Sequence, residues 1–239
     1  MTDATDGARV VTGPLKTWYD MHEALAHEVR ALADLAVGLS ADGLDAYVRR
    51  FGAFDAELRN HSEVEDAIMF PAVAAAGGTV PDDLYAQHRD EQLVVYELGT
   101  AVMAARGRAD DTSIAALAPA AAALRDSLLA HLRHEEDAVL GQVDGLFAPE
   151  HQAALLREII AAMPYDPGLQ PWVAAALTPE HLEARLRNMA GSLGHDALVG
   201  VLTQIRNGVD AVTWARRRPC DLSAARSATV TVRSASRPV

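Results

Sequence analysis

Four stretches of the chain repeat an apolar residue at alternating steps of three and four, the spacing that lines one face of an α-helix. The first reads Leu15, Trp18, His22, Leu25, Val29, Leu32, Ala36, Leu39, and the second Leu44, Tyr47, Phe51, Phe54, Leu58, His61, Glu65, Ile68, Ala72. The third reads Leu84, His88, Glu91, Val95, Leu98, Val102, and the fourth Ile114, Leu117, Ala121, Leu124, Leu128, His131, Glu135, Ala138. The pattern predicts helices over 14–39, 43–76, 81–107 and 113–143, separated by Gly43, by Gly77-Gly78-Thr79-Val80-Pro81 and by Gly107 to Asp111. Connections this short make neighbouring helices antiparallel, so the expected fold is all-α, an up-down-up-down four-helix bundle. Pro119 sets the start of the fourth helix, or a kink in it, near Ala118, and Pro71 ends or bends the second helix about one turn past Glu65.

After Gly141 the pattern changes to shorter segments. Pro149 opens a helix to about Ala162, Met163 to Gly168 breaks it, and Trp172 lies in a short segment after Pro171. Thr178-Pro179-Glu180 supplies an N-cap, a proline at the first helical position and an acidic first turn for a helix to about Ala190. A last helix is expected from about His195 to Arg217. The predicted organisation is a flexible N-terminus at 1–12, the bundle at 13–145, additional C-terminal helices as an extension at 148–218 and a flexible Ser-, Arg-, Ala- and Val-rich tail at 219–239.

The stripes carry the candidate chemistry. They are apolar except for His22, His61, His88 and His131, and for Glu65, Glu91 and Glu135. His61 and His131 each have a glutamate four residues on, hence on the same helix face. Burying an unpaired carboxylate costs several kcal/mol, and no Lys or Arg shares these stripes, so a cation is the expected partner. The alternative, satisfied core histidines and bundle-edge glutamates, must hold at all six of His22, His61, Glu65, His88, His131 and Glu135 at once. If the two glutamates bridge and each imidazole binds one ion, the donors suit two metals with positions left for a small exogenous ligand. Mixed imidazole and carboxylate ligation suits iron, with manganese or zinc as alternatives.

Neighbouring residues have separate readings. His27 faces away from its stripe, and His134, at the edge of the fourth, is a candidate fifth imidazole. Glu136 competes with Glu135 from a poorer phase. Glu91 is either a ligand, an acceptor behind one or a bundle-edge residue. Tyr85, near His88, is either a hydrogen-bond partner of the site or a packing residue, while Tyr47 lies too far along its helix from His61. His151, His181 and His195 belong to the C-terminal helices.

The net charge of −12 over 239 residues argues against nucleic acid or an anionic membrane as partner. Arg216, Arg217 and Arg218 are read as a solvated helix end. The single cysteine, Cys220, cannot form an internal disulfide, which fits a reducing compartment. The sequence has no long uninterrupted apolar run and residues 1–12 lack a signal peptide's features, so a soluble cytoplasmic protein is expected. Nothing in the sequence sets an oligomeric state.

With these residues in place, the segments DMHEALAHEVRAL, NHSEVEDAIMFPAV, DLYAQHRDEQ and LLAHLRHEEDAVL make residues 15–145 resemble the hemerythrin-like (HHE cation-binding) family, in its bacterial type with a C-terminal helical extension. The resemblance implies a non-haem di-iron centre, oxo- or hydroxo-bridged, with His22, His61, His88 and His131 as terminal ligands and Glu65 and Glu135 as bridges. Oxygen-carrying members have a fifth imidazole and a His-x4-Asp in the last helix, where this chain has Glu135 and Glu136. These departures count against reversible oxygen storage. The expected small-molecule ligand is dioxygen, hydrogen peroxide or nitric oxide. The reading leans to a peroxide- or small-oxidant-handling oxidoreductase, with a non-enzymatic oxygen, nitric oxide or iron sensor as the alternative.

Overall fold

The computed structural model describes residues 13–164, 166 and 168–208. Among them there are helices and turns and no strand, as the patterning predicts. The calls on residues 1–12, on Arg216 to Arg218 and Cys220, and on the tail at 219–239 lie outside the described residues.

Helix α1, Lys16–Ala36, and α2, Ala41–Val64, meet at a turn made by Gly38 rather than Gly43. Gly38 takes φ +75°, a conformation open to a residue without a Cβ, while Gly43 already sits inside α2 with its N–H bonded to the Ser40 carbonyl at 3.0 Å. The second stripe does not stop at Pro71. It passes through a π-turn, Glu65–Met69, in which the Phe70 N–H reaches back five residues to the Glu65 carbonyl, and continues as α3, Phe70–Ala75. Proline has no N–H, and its ring clashes with the carbonyl four residues back in an α-helix; one wider turn avoids both problems. The extra residue advances the buried face by one. Met69 and Val73 are in the core, whereas Ile68 and Ala72, the residues predicted for it, are only half-buried. Gly77, at φ +84°, then ends the helix, with Gly78 N–H on the Val73 carbonyl and Gly77 N–H on Ala74, a Schellman cap.

Helix α4, Asp82–Arg108, carries Asp82 and Asp83 in its first turn and Arg106 and Arg108 in its last, both favourable to the helix dipole. It ends at Ala109 in a left-handed conformation, φ 53°. Asp110 caps the short α5, Asp111–Ala115, by accepting the Ser113 N–H at 2.7 Å. The chain breaks at Ala116 and resumes as α6, Leu117–Ala138. That break places Pro119 in a first turn, where its missing N–H costs nothing.

Helix α1 packs against α2 and α6, and α4 packs against the same two, which closes a ring of four helices. Its interior is filled by the predicted stripes, including Leu25, Leu32, Phe54, Leu98, Leu124 and Leu128. One end is covered by the segment after α6: a 3-10 turn at Leu140–Gln142, α7 at Val143–Leu146 and α8 at Pro149–Ala162. Leu155, Leu156 and Ile159 of α8 join Leu15, Trp18, Phe70 and Leu84 in one apolar cluster. Gln152, also buried, accepts the Leu15 N–H at 3.3 Å and donates to the Phe147 carbonyl at 3.2 Å.

The chain divides into two compact units, and α8 falls in the first, with the ring of helices. The second unit contains α9, Leu169–Ala176, α10, Pro179–Ser192, and α11, His195–Gly208. Thr178 caps α10 as predicted, accepting the His181 N–H at 3.3 Å. The helical run 111–146 contains a window of mean hydropathy 1.3, long and apolar enough by composition to cross a membrane. Here the same run carries His131 and Glu135 on the face turned to the other helices.

Candidate metal centre

Each of the six stripe residues arrives at one point because its helix buries the face that carries it. His22 from α1, His61 from α2, Glu65 from the π-turn, His88 from α4, and His131 and Glu135 from α6 are each at most 4% exposed. Their donor atoms form two clusters, His22 with His61, Glu65 and Glu135, and His88 with His131 and Glu135, each within 4.8 Å and with Glu135 common to both. Glu65 spans them as well. Its Oε1 lies 2.9 Å from His61 Nε2 and 3.5 Å from His22 Nε2, and its Oε2 lies 3.5 Å from His88 Nε2. Glu135 Oε2 is 3.6 Å from both His22 Nε2 and His131 Nε2.

These separations suit a shared cation. Two donors each about 2.1 Å from one ion and at right angles about it are about 3 Å apart. The donor chemistry agrees, since Glu65 Oε2, both Glu135 oxygens, His88 Nε2 and His61 Nε2 are buried without a hydrogen-bond partner among the described residues. Orphaned buried groups of this kind are costly unless something else satisfies them. The set is four imidazoles and two carboxylates with no thiolate, and these residues fit a metal of borderline hardness.

The charges are arranged around one ionised glutamate. Burial opposes the charge of Glu65, but the imidazoles of His61, His22 and His88 outweigh it and hold its carboxyl well below the usual range. Burial, and then the Glu65 charge, push Glu135 well above that range. Burial also works against a proton on His22, yet Glu135, Glu136 and Glu65 raise it to about 10. His131 goes the other way, down to about 3, through burial and the neighbouring His88. Without a metal the centre is thus an uneven set of protonated and neutral groups. Metal binding would replace the protons on its nitrogens.

Around the six lie residues that orient them. His88 Nδ1 is 2.8 Å from Asp66 Oδ1, His131 Nδ1 is 3.1 Å from Gln87 Oε1, and His22 Nδ1 is 3.2 Å from Glu136 Oε1. Holding the rear nitrogen of an imidazole in this way fixes the ring and directs its Nε2 at the metal position. The Trp18 indole N–H donates to Glu65 Oε1 at 2.7 Å, and its ring stacks on His61 at 4.7 Å. Phe70 stacks on His88 with centroids 5.7 Å apart.

The remaining sequence candidates sort by position. Glu136 stands behind His22 and is in neither cluster. Glu91 is 3.9 Å from His131 Nδ1, also in neither cluster, and burial raises its carboxyl to about 8. His134 is no fifth imidazole of these clusters: it is partly exposed, and its Nδ1 meets the Gln87 side chain, which links it to His131. Tyr85 packs edge-on against Phe70, whose ring stacks on His88. His27 is exposed, as its phase predicts. His151 packs on Phe147, and His181 and His195 lie in the second unit. Trp18, Asp66 and Gln87 escaped the sequence reading. Trp18 lies in phase with the apolar filling, although a buried indole N–H needs an acceptor; Asp66 and Gln87 each adjoin a cluster residue but lie off its stripe.

No curated protein and no solved structure matches the chain. The family model of the hemerythrin HHE cation-binding domain matches residues 13–143, the segment that supplies every residue of both clusters. The chain therefore belongs to the hemerythrin HHE cation-binding domain family.

Proposed function

We propose that the buried centre holds two iron ions bridged by Glu65 and Glu135 and that it reacts with a small oxidant, hydrogen peroxide before dioxygen or nitric oxide. The observation that supports this best is the double use of the carboxylates: Glu135 belongs to both clusters, and the two oxygens of Glu65 face different ones. Nitrogen and oxygen donors without thiolate favour iron over copper(I) or an iron–sulfur cluster, with manganese or zinc the other candidates. When bound, such a metal pair supplies one-electron redox steps and an open position for the oxidant.

The chain's own residues set the conditions for that chemistry. Trp18 holds Glu65 by its N–H, and Asp66, Gln87 and Glu136 hold three of the imidazoles by their rear nitrogens. The apolar cluster of Phe70, Leu84, Leu156 and Ile159 covers one end and excludes bulk water. His134 is turned to Gln87, so these clusters lack the fifth imidazole of the oxygen carriers, which favours turnover over unchanged release of oxygen.

The test is metal analysis with the visible spectrum, followed by mixing the diferric protein with hydrogen peroxide. Peroxide loss that disappears in Glu65→Ala supports the enzyme. If both proteins are inert while the reduced protein binds oxygen or nitric oxide reversibly, the sensor or carrier reading replaces it.

A further inference from the structure

A groove of about 690 Å³ runs between α2 and α4, and His88 and Glu91 are among the residues that line it. That volume lies within the range of sites for organic ligands and far exceeds what a diatomic gas or peroxide needs. Phe51, Leu58 and Val95 form apolar wall, and at its edge Tyr96 and Met103 are 74% and 64% exposed. Glu91 is 97% buried in this wall with neither carboxylate oxygen hydrogen-bonded.

Gly99 adds an independent sign. It lies well inside α4, where glycine weakens a helix relative to alanine. Nothing in the fold requires it: φ is not positive, and an added Cβ would meet only the Phe51 ring, at 3.8 and 4.0 Å. Its effect is to leave room in the groove it lines. Two arginines also line the groove. Arg59 is tied to Asp55 at 2.8 Å, whereas Arg89 has no acidic partner among the described residues.

We propose that this groove binds an organic monoanion with an apolar body, of the medium-chain carboxylate class, with its headgroup on Arg89 and its body between Phe51, Leu58 and Tyr96 at the edge of the metal centre. As a ligand site it is independent of whether the centre turns over peroxide. The test is calorimetric titration of the iron-loaded, full-length protein with sodium octanoate, octan-1-ol and sodium acetate. Octanoate should bind saturably at one site and perturb the visible iron absorption, octan-1-ol should bind at least tenfold more weakly, and acetate should not bind. Gly99→Leu should lose at least tenfold in octanoate affinity while keeping its iron content and melting temperature. Arg89→Gln, a surface change, should weaken octanoate about tenfold and leave octan-1-ol unchanged. Absence of saturable octanoate binding, or wild-type affinity in Gly99→Leu and Arg89→Gln, would overturn the proposal. So would a dimer that dissociates on Gly99→Leu and binds no octanoate, since a second copy would then be the occupant.

Discussion

At the scale of single residues, the centre depends on which nitrogen and oxygen atoms are left without protein partners. His61 approaches Glu65 at 2.9 Å and has no competing hydrogen bond, so His61→Ala should empty or halve the metal content, whereas the exposed His27→Ala should leave it unchanged. Metal analysis of the two purified variants checks this. Trp18 makes a finer test because it both stacks on His61 and donates to Glu65 Oε1. Trp18→Phe keeps an aromatic ring but is smaller and deletes the donor, leaving a buried carboxylate oxygen short of a partner. The metal-free variant should lose about 1–3 kcal/mol, measured by denaturant unfolding, and the iron-loaded one should show a shifted visible spectrum.

At the scale of elements, local chemistry decides where each helix stops and what its ends cover. Ala109 takes a left-handed φ of 53° at the end of α4, a conformation that costs a residue with a Cβ about 1–2 kcal/mol. Ala109→Gly should therefore raise stability by up to about 1 kcal/mol, after allowing for glycine's greater freedom in the unfolded chain. A thermal melt reads it. Helix α8 covers the metal end with Leu155, Leu156 and Ile159. Ile159→Ala, at a fully buried position, should cost about 2–5 kcal/mol by leaving a cavity, and should speed metal loss to a chelator.

At the scale of the molecule, the metal and the fold are linked. Without metal, two glutamates and four imidazoles face each other in the interior, so removal of the metal should lower the melting temperature. The metal-free protein should also lose stability as pH rises. His22, raised from 6.5 to about 10, contributes stability that is complete below 6.5 and is lost as pH climbs through 10. Glu91, raised from 4.5 to about 8 by burial, loses its contribution between those values. His131 acts in the opposite sense but only below 6.5, where its folded-state value of about 3 makes protonation favour the unfolded chain. The melting temperature of metal-free protein should thus fall from pH 6.5 to 10, and His22→Gln should flatten that fall.

The sequence alone determined the helices of the ring and the six residues at its centre. Both follow from a single periodicity, because a 3.6-residue repeat that buries leucine must also bury any histidine or glutamate in the same phase. Only the tertiary structure decided the rest, since it depends on residues out of phase or far apart in the chain. The π-turn moved the core from Ile68 and Ala72 to Met69 and Val73, because the constraint of Pro71 acts on the turn before it. Asp66, Gln87 and Trp18 became supports of His88, His131 and Glu65 because contacts between helices, which no stripe encodes, brought the donors and acceptors within reach. Helix α8 belongs with the ring because its Gln152 accepts the N–H of Leu15, more than 130 residues earlier in the chain, and its Ile159 shares an apolar cluster with Trp18; such a pairing is fixed by shape and hydrogen bonding rather than by any local pattern.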